Sequence, residues 1–348
     1  MKDFGKIGRW QLLSILLMSL ITAGLLQAAV LRPRLMILTD IGGDPDDQQS
    51  LIRLMVYANQ FRLEGLIATA SGTPGELKEA ITRPDLIGEI VEAYDKVRPN
   101  LLGHEGDWPE TEALMGLIRS GNPRRGREAI GRDQDSEASG WIQQQVLAGS
   151  PEDPLNIAIW GGQTDLAQAL WRIKSQQGDQ GLAMFARACR IYDIADQDGL
   201  ADWINEQFPG LFYILSRAPA GKDKREATFR GMYLGGDISS TSREWVQANI
   251  RNQGPLGALY PLKTWTAPNP HGCLKEGDTP SWFFFLPRGG NQANDPTLPG
   301  WGGQFRLDQS GRYVDLAIAV QDPRQSVSRW REDYQRDFAR RMAWCLPQ

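Results

Sequence analysis

The sequence predicts an α/β fold, a mainly parallel sheet flanked by helices. Residues 35–38 (Leu-Met-Ile-Leu) read as a buried strand, which hands over through an acidic loop, 39–47, to residues 48–57 with apolar side chains at helical spacing. Residues 155–173 repeat the order, with a strand at 155–160, the break Gly161-Gly162 and a helix at 166–173. Residues 189–208 give it a third time. Alternation of strand, loop and helix is the pattern of βαβ units and a parallel sheet.

The expected organisation is a signal peptide over residues 1–29 and one α/β domain over 30–348. Lys2, Lys6 and Arg9 precede the apolar run 12–26, and Ala28 and Ala29 supply the small residues of a cleavage site. Export to the periplasm or medium is the expectation, with no stable membrane insertion after cleavage. Retention as an anchor is the alternative, although the run is short for a spanning helix.

Within the domain, residues 61–70 read as the second strand, broken by Ser71-Gly72-Thr73-Pro74-Gly75. A helix is expected over 76–98 and a short strand at 101–103. Residues 119–137 look like a surface loop in which Arg124, Arg125, Arg127 and Arg132 are solvated. A helix over 136–148 leads to the strand at 155, and Thr164-Asp165 is placed to cap the helix that follows. The strand from Cys189 ends in a second acidic loop, Asp193 to Asp198. The helix 200–208 and a strand at 211–215 come next. Residues 254–282 are rich in Pro and Gly, and the apolar run 282–286 should be buried. Residues 287–311 form a loop of a length that is commonly functional. The tail 330–345 is helical, with Trp330, Tyr334, Phe338 and Met342 on one face.

Composition narrows the partners. With a formal net charge of −4 and no long basic run, nucleic acid is not the expected partner. Twelve Trp serve either core packing or sugar stacking. Cys189, Cys273 and Cys345 allow at most one disulfide, and their spacing matches no zinc motif. A homo-oligomer is compatible with the sequence.

The acidic loop carries the chemistry. Asp40, Asp44, Asp46 and Asp47 fall within eight residues. Carboxylates this close repel one another unless a proton or cation offsets them, and calcium or magnesium takes such oxygen ligands. Helix capping would explain one Asp, not four. The ends of the parallel strands share one side of a sheet, so Asp40 to Asp47, Asp193 to Asp198 and Asp278 should converge there. A cation in that place orients vicinal hydroxyls and lowers the pKa of a bound water, and a neighbouring carboxylate takes the proton.

The loop resembles the signature of the calcium-dependent nucleoside hydrolases, D-x-D-P-G-x-D-D after the first strand, expanded here by two residues as in the nucleoside-hydrolase-like domain of the cellulose-binding protein family. The similarity extends to Asp196-Gln197-Asp198, Glu276-Gly277-Asp278-Thr279-Pro280-Ser281, Trp301-Gly302-Gly303 and the tail from Trp330 to Cys345. The resemblance implies a nucleoside-hydrolase-like, Rossmann-like fold with calcium. It makes Asp40 a calcium ligand and the base for the attacking water, Asp47 the second calcium carboxylate and Asp46 the ribose contact. Trp160 would offer its backbone carbonyl to calcium, and Asp278 would close the metal shell. Thr73 stands where the family has an Asn that touches ribose. His271 is the nearest candidate to help the leaving base, because Gly277 precedes Asp278 where many members place a His. Asp193, Asp196 and Asp198 are substrate-contact candidates by position. The expected function is an exported metal-dependent hydrolase of the N-glycosidic bond in ribonucleosides or related glycosides. The alternative is a protein that binds cellulose or oligosaccharide on a hydrolase scaffold, with little or no nucleosidase activity.

Overall fold

One sheet of eight strands organises the protein, whose computed structural model describes residues 32–72, 77–263 and 269–348. In chain order the strands are β1 (Arg34–Thr39), β2 (Arg62–Ala68), β3 (Ile118–Ser120), β4 (Leu155–Ile159), β5 (Cys189–Ile194), β6 (Phe212–Ser216), β7 (Phe305–Leu307) and β8 (Tyr313–Asp315). Their spatial order is β3-β2-β1-β4-β5-β6-β8-β7, parallel throughout except for the antiparallel pair β7–β8. The first six follow the 3-2-1-4-5-6 order of doubly wound sheets. The order reverses between β1 and β4, and the crevice that opens there at the carboxyl edge is where such folds bind ligands. The expected α/β class is the observed one.

Side chains alternate between the two faces of each strand, and both faces are covered. Leu35 and Ile37 of β1 enter one apolar layer, while Met36 and Leu38 enter the other. The first layer packs against the helices Asp46–Met55, Pro84–Leu102 and Arg331–Ala343. The second packs against Glu137–Leu147, Gln163–Arg187 and Ala201–Gln207. Trp160 and Trp282 are fully buried. Trp282 meets Tyr57 and Phe283 at ring-centroid distances of 5.4 and 4.6 Å, and Trp301 closes on Phe283 at 5.4 Å. These Trp serve the core.

Several local expectations are corrected. The helix expected over 76–98 begins only at Pro84, whose fixed φ suits a first helical position and disfavours helix at Arg83. It runs on through Leu102, so residues 101–103 are not a strand, and β3 at the sheet edge takes that place. The loop 287–311 contains β7. All three cysteines are buried and free. Residues 1–29, expected as a signal peptide, Thr73 and Trp265 lie outside the described residues.

Neither Thr164 nor Asp165 caps its helix, because Gly162 is the N-cap and no side chain closes it. Asp165 is instead buried, accepting from Asn122 N at 3.0 Å and Ser136 Oγ at 2.5 Å, with Oδ2 unpartnered. Burial raises its pKa to about 7. The native state therefore holds a proton that the unfolded chain releases, so this residue's contribution to stability falls as pH rises from about 4 to about 7. Asp165→Asn should remove the fall. The stability advantage of the variant over the parent, read from urea midpoints, should grow by up to ~4 kcal/mol across that window and then stay flat.

Candidate functional site

The site lies at the β1–β4 switch point. Thr39 ends β1, and its Oγ1 donates to Asp47 Oδ1 and accepts from Ile41 N at 3.2 Å, which folds the acidic loop back on its strand. Gly42 turns the loop at φ +115°. Asp46 and Asp47 occupy the first helical turn, where the helix dipole favours negative charge, yet neither caps it, because Pro45 is the N-cap. Capping does not account for these carboxylates.

Asp278 arrives from the far end of the chain as N-cap residue of the short helix Thr279–Phe283 and makes no side-chain cap bond. Single carboxylate oxygens of Asp46, Asp47 and Asp278 lie within 4.8 Å of one another. Asp278 Oδ2 is buried without a hydrogen-bond partner. Burial, and then repulsion from neighbouring Asp residues including Asp40, holds the carboxyls of Asp47 and Asp278 well above the usual range. Burial also raises Asp46, and Lys275 partly offsets the rise.

Two cations from distant segments enter this acidic cluster. Arg125 Nη2 pairs with Asp40 Oδ2 at 2.9 Å and its Nη1 with Asp198 Oδ1 at 3.1 Å. The same guanidinium donates to the carbonyls of Ala70 and Gly72. Lys275 Nζ pairs with Asp44 and lies 3.3 Å from Asp46 Oδ2. Arg125 is thus no solvated surface charge, and Asp44 anchors Lys275.

Trp160 contributes with both ends. Its backbone carbonyl accepts from Gln197 Nε2. Its indole Nε1 donates to Ser281 Oγ at 2.8 Å, and Ser281 Oγ donates to Asp278 O at 2.6 Å. The side chain is a strut between the switch-point loop and the turn that carries Asp278. Gly161 follows because a Cβ there would lie 2.7 Å from Asp40 Cβ.

The second acidic loop divides. Asp193 is fully buried, accepting from Gln163 Nε2 at 2.7 Å and Tyr213 OH at 2.8 Å, so it braces β5 and does not face a ligand. Asp198 accepts from Thr164 N at 2.8 Å and holds Arg125, one layer behind the cavity. Asp196 does line the cavity, paired with Arg217. His271 is exposed and is absent from the cavity lining.

The cavity measures about 660 Å³. Asp40, Asp44, Asp46, Asp47 and Asp278 line one side of the ledger of charge, and Lys275, Arg217 and Arg230 are among the cations that line it too. An all-oxygen donor set and one orphaned buried carboxylate oxygen fit a hard divalent ion held by Asp46, Asp47 and Asp278. Sequence reasoning missed the roles of Arg125 and Lys275. Lys275 stood three residues before Asp278 and carried a signal; Arg125 carried none beyond its charge.

This fold and site define a nucleoside-hydrolase-like α/β protein. The family model for the cellulose-binding Sde182, nucleoside hydrolase-like domain matches residues 34–305, and the chain belongs to that family. A solved structure of a nucleoside hydrolase-related hypothetical protein from Saccharophagus degradans that is associated with carbohydrate metabolism is similar, with a TM-score of 0.74 and 28% identity over 91% of this chain and 72% of that one. No curated protein matches the chain significantly.

Proposed function

We propose that the protein binds carbohydrate in the acidic cavity, with a divalent cation, calcium by preference, held by Asp46, Asp47 and Asp278 and facing sugar hydroxyls. In this reading the hydrolase scaffold serves recognition, with little or no turnover. The observation that carries it is the ion pair between Arg125 and Asp40. A carboxylate that must take a proton from water is poorly served by a guanidinium on its oxygen. The Trp160 carbonyl, expected to face the metal, is likewise engaged by Gln197. The family description, cellulose-binding, agrees with a sugar ligand.

The test pairs two assays on the full protein with calcium. Retention on insoluble cellulose or cello-oligosaccharide resin is expected, together with base release from a nucleoside panel no faster than that of an Asp40→Ala control. Base release on the order of 1 s⁻¹ or faster, abolished by Asp40→Ala, would overturn the reading. It would establish the second one, hydrolysis of an N-glycosidic bond in ribonucleosides. That reading is favoured by the convergence of Asp40, Asp46, Asp47 and Asp278 on one cavity. Export to the periplasm or medium belongs to either reading and is tested by N-terminal sequencing of the mature protein.

A further inference from the structure

The cavity is bipolar. Its carboxylates come from the loop after β1, from Asp196 and from Asp278, while one segment, residues 217–230 after β6, supplies four of its five lining cations, Arg217, Lys222, Lys224 and Arg230. That segment also carries Asp223, Arg225 and Glu226, and none of these three lines the cavity. Asp223 is paired with Arg225 instead. The segment therefore sorts its charges, and four of its cations line the cavity, Lys222 and Lys224 as exposed residues at its rim.

Their partners differ. Arg217 is held by Asp196, and Arg230 Nη1 donates to Tyr233 OH. Arg230 Nε is buried with no hydrogen-bond partner. Lys222 and Lys224 form no ion pair among the described residues. Lysines at a surface are commonly just solvated. Here they lie at the mouth of a cavity that Arg217 and Arg230 also line, so four cations of one segment meet there.

From this sorting we infer that the sugar taken by the cavity carries an anionic group, a carboxylate or a phosphate ester, received by Lys222, Lys224 and Arg230 while its hydroxyls face the acidic floor. The inference rests on the sugar-binding reading and specifies its ligand. A neutral glycan would leave the rim hydrated; an anionic one replaces that water with charge-assisted bonds.

Calorimetry on the full protein with calcium, using glucose, glucuronate and glucose 6-phosphate, tests the inference. At least one anionic sugar should bind about tenfold or more tightly than glucose, and the preference should shrink with added salt. The stronger of the two identifies carboxylate or phosphate as the group received. In the K222A/K224A variant, checked for folding by its melting curve, the preference should fall to within about twofold. Equal binding of all three sugars, or a preference that survives in the variant, overturns the inference while leaving carbohydrate binding intact. Binding of none of the three, together with no retention on cellulose, removes the sugar-binding reading and this inference with it.

Discussion

Arg53→Met is expected to destabilise the protein by about 3–5 kcal/mol, because it leaves Glu276 as a buried charge without its counter-ion. Both side chains of the pair are fully buried. Arg53 sits on the helix that follows the acidic loop, and its Nη2 donates to Glu276 Oε1 at 3.2 Å and to Gln335 Oε1 at 2.6 Å. Its guanidinium stacks 3.7 Å from the centre of the Phe338 ring. Glu276 holds φ +25° two residues before Asp278, a left-handed conformation uncommon outside Gly, and accepts from Thr279 Oγ1 at 3.1 Å as well. Losing Arg53 should therefore loosen the turn that positions Asp278 as well as lower the urea midpoint. The double variant Arg53→Met/Glu276→Leu should recover much of the loss, since it removes both charges. A double variant no more stable than Arg53→Met would show that packing against Phe338, and not the ion pair, sets the cost.

The second large effect concerns Asp278. In calcium-free buffer Asp278→Asn should raise the melting temperature, because it removes one member of a buried, mutually repelling set and leaves the amide room to donate where Oδ2 has no partner. Calcium at about a hundred times its dissociation constant should stabilise the parent by ~2.7 kcal/mol. The variant should lose most of that response. Equal calcium shifts in parent and variant would remove Asp278 from the ligand set, and a magnesium titration run alongside would rank the two ions.

Much of the fold was legible because the strands that matter are short apolar runs, each followed by a polar turn and a helix. β1, β2, β4, β5 and β6 fall where the sequence puts them, within a few residues at their ends. The edges were not. β3 is three half-buried residues, Ile-Arg-Ser, and β7 is three residues paired with β8 at the sheet edge, so neither carries a long apolar signature. Of the site, the local cluster could be read because repulsion among close carboxylates is visible in one dimension. Asp278 was placed with it on the expectation that it ends a strand, whereas it opens a short helix, and its metal role came from the family resemblance. The cations were hidden for the opposite reason. Arg125 looks like any surface arginine until the fold lays residues 121–126 beside Asp40, and Asp193 looks like a ligand until Gln163 and Tyr213 close over it.

The strut from Trp160 to Ser281 spans 121 positions, and the Lys275–Asp44 pair spans 231. Such contacts form only after the intervening chain has been laid down, because closing a long loop comes before the reward of its contacts. The acidic loop thus emerges early in synthesis as a set of solvated charges, meets Arg125 midway and acquires Lys275 and Asp278 last. If the site takes an ion as proposed, its affinity measures completed chain closure: a polypeptide ending before residue 275 would retain six consecutive strands of the sheet and have neither the lysine nor the third carboxylate of the proposed ion site.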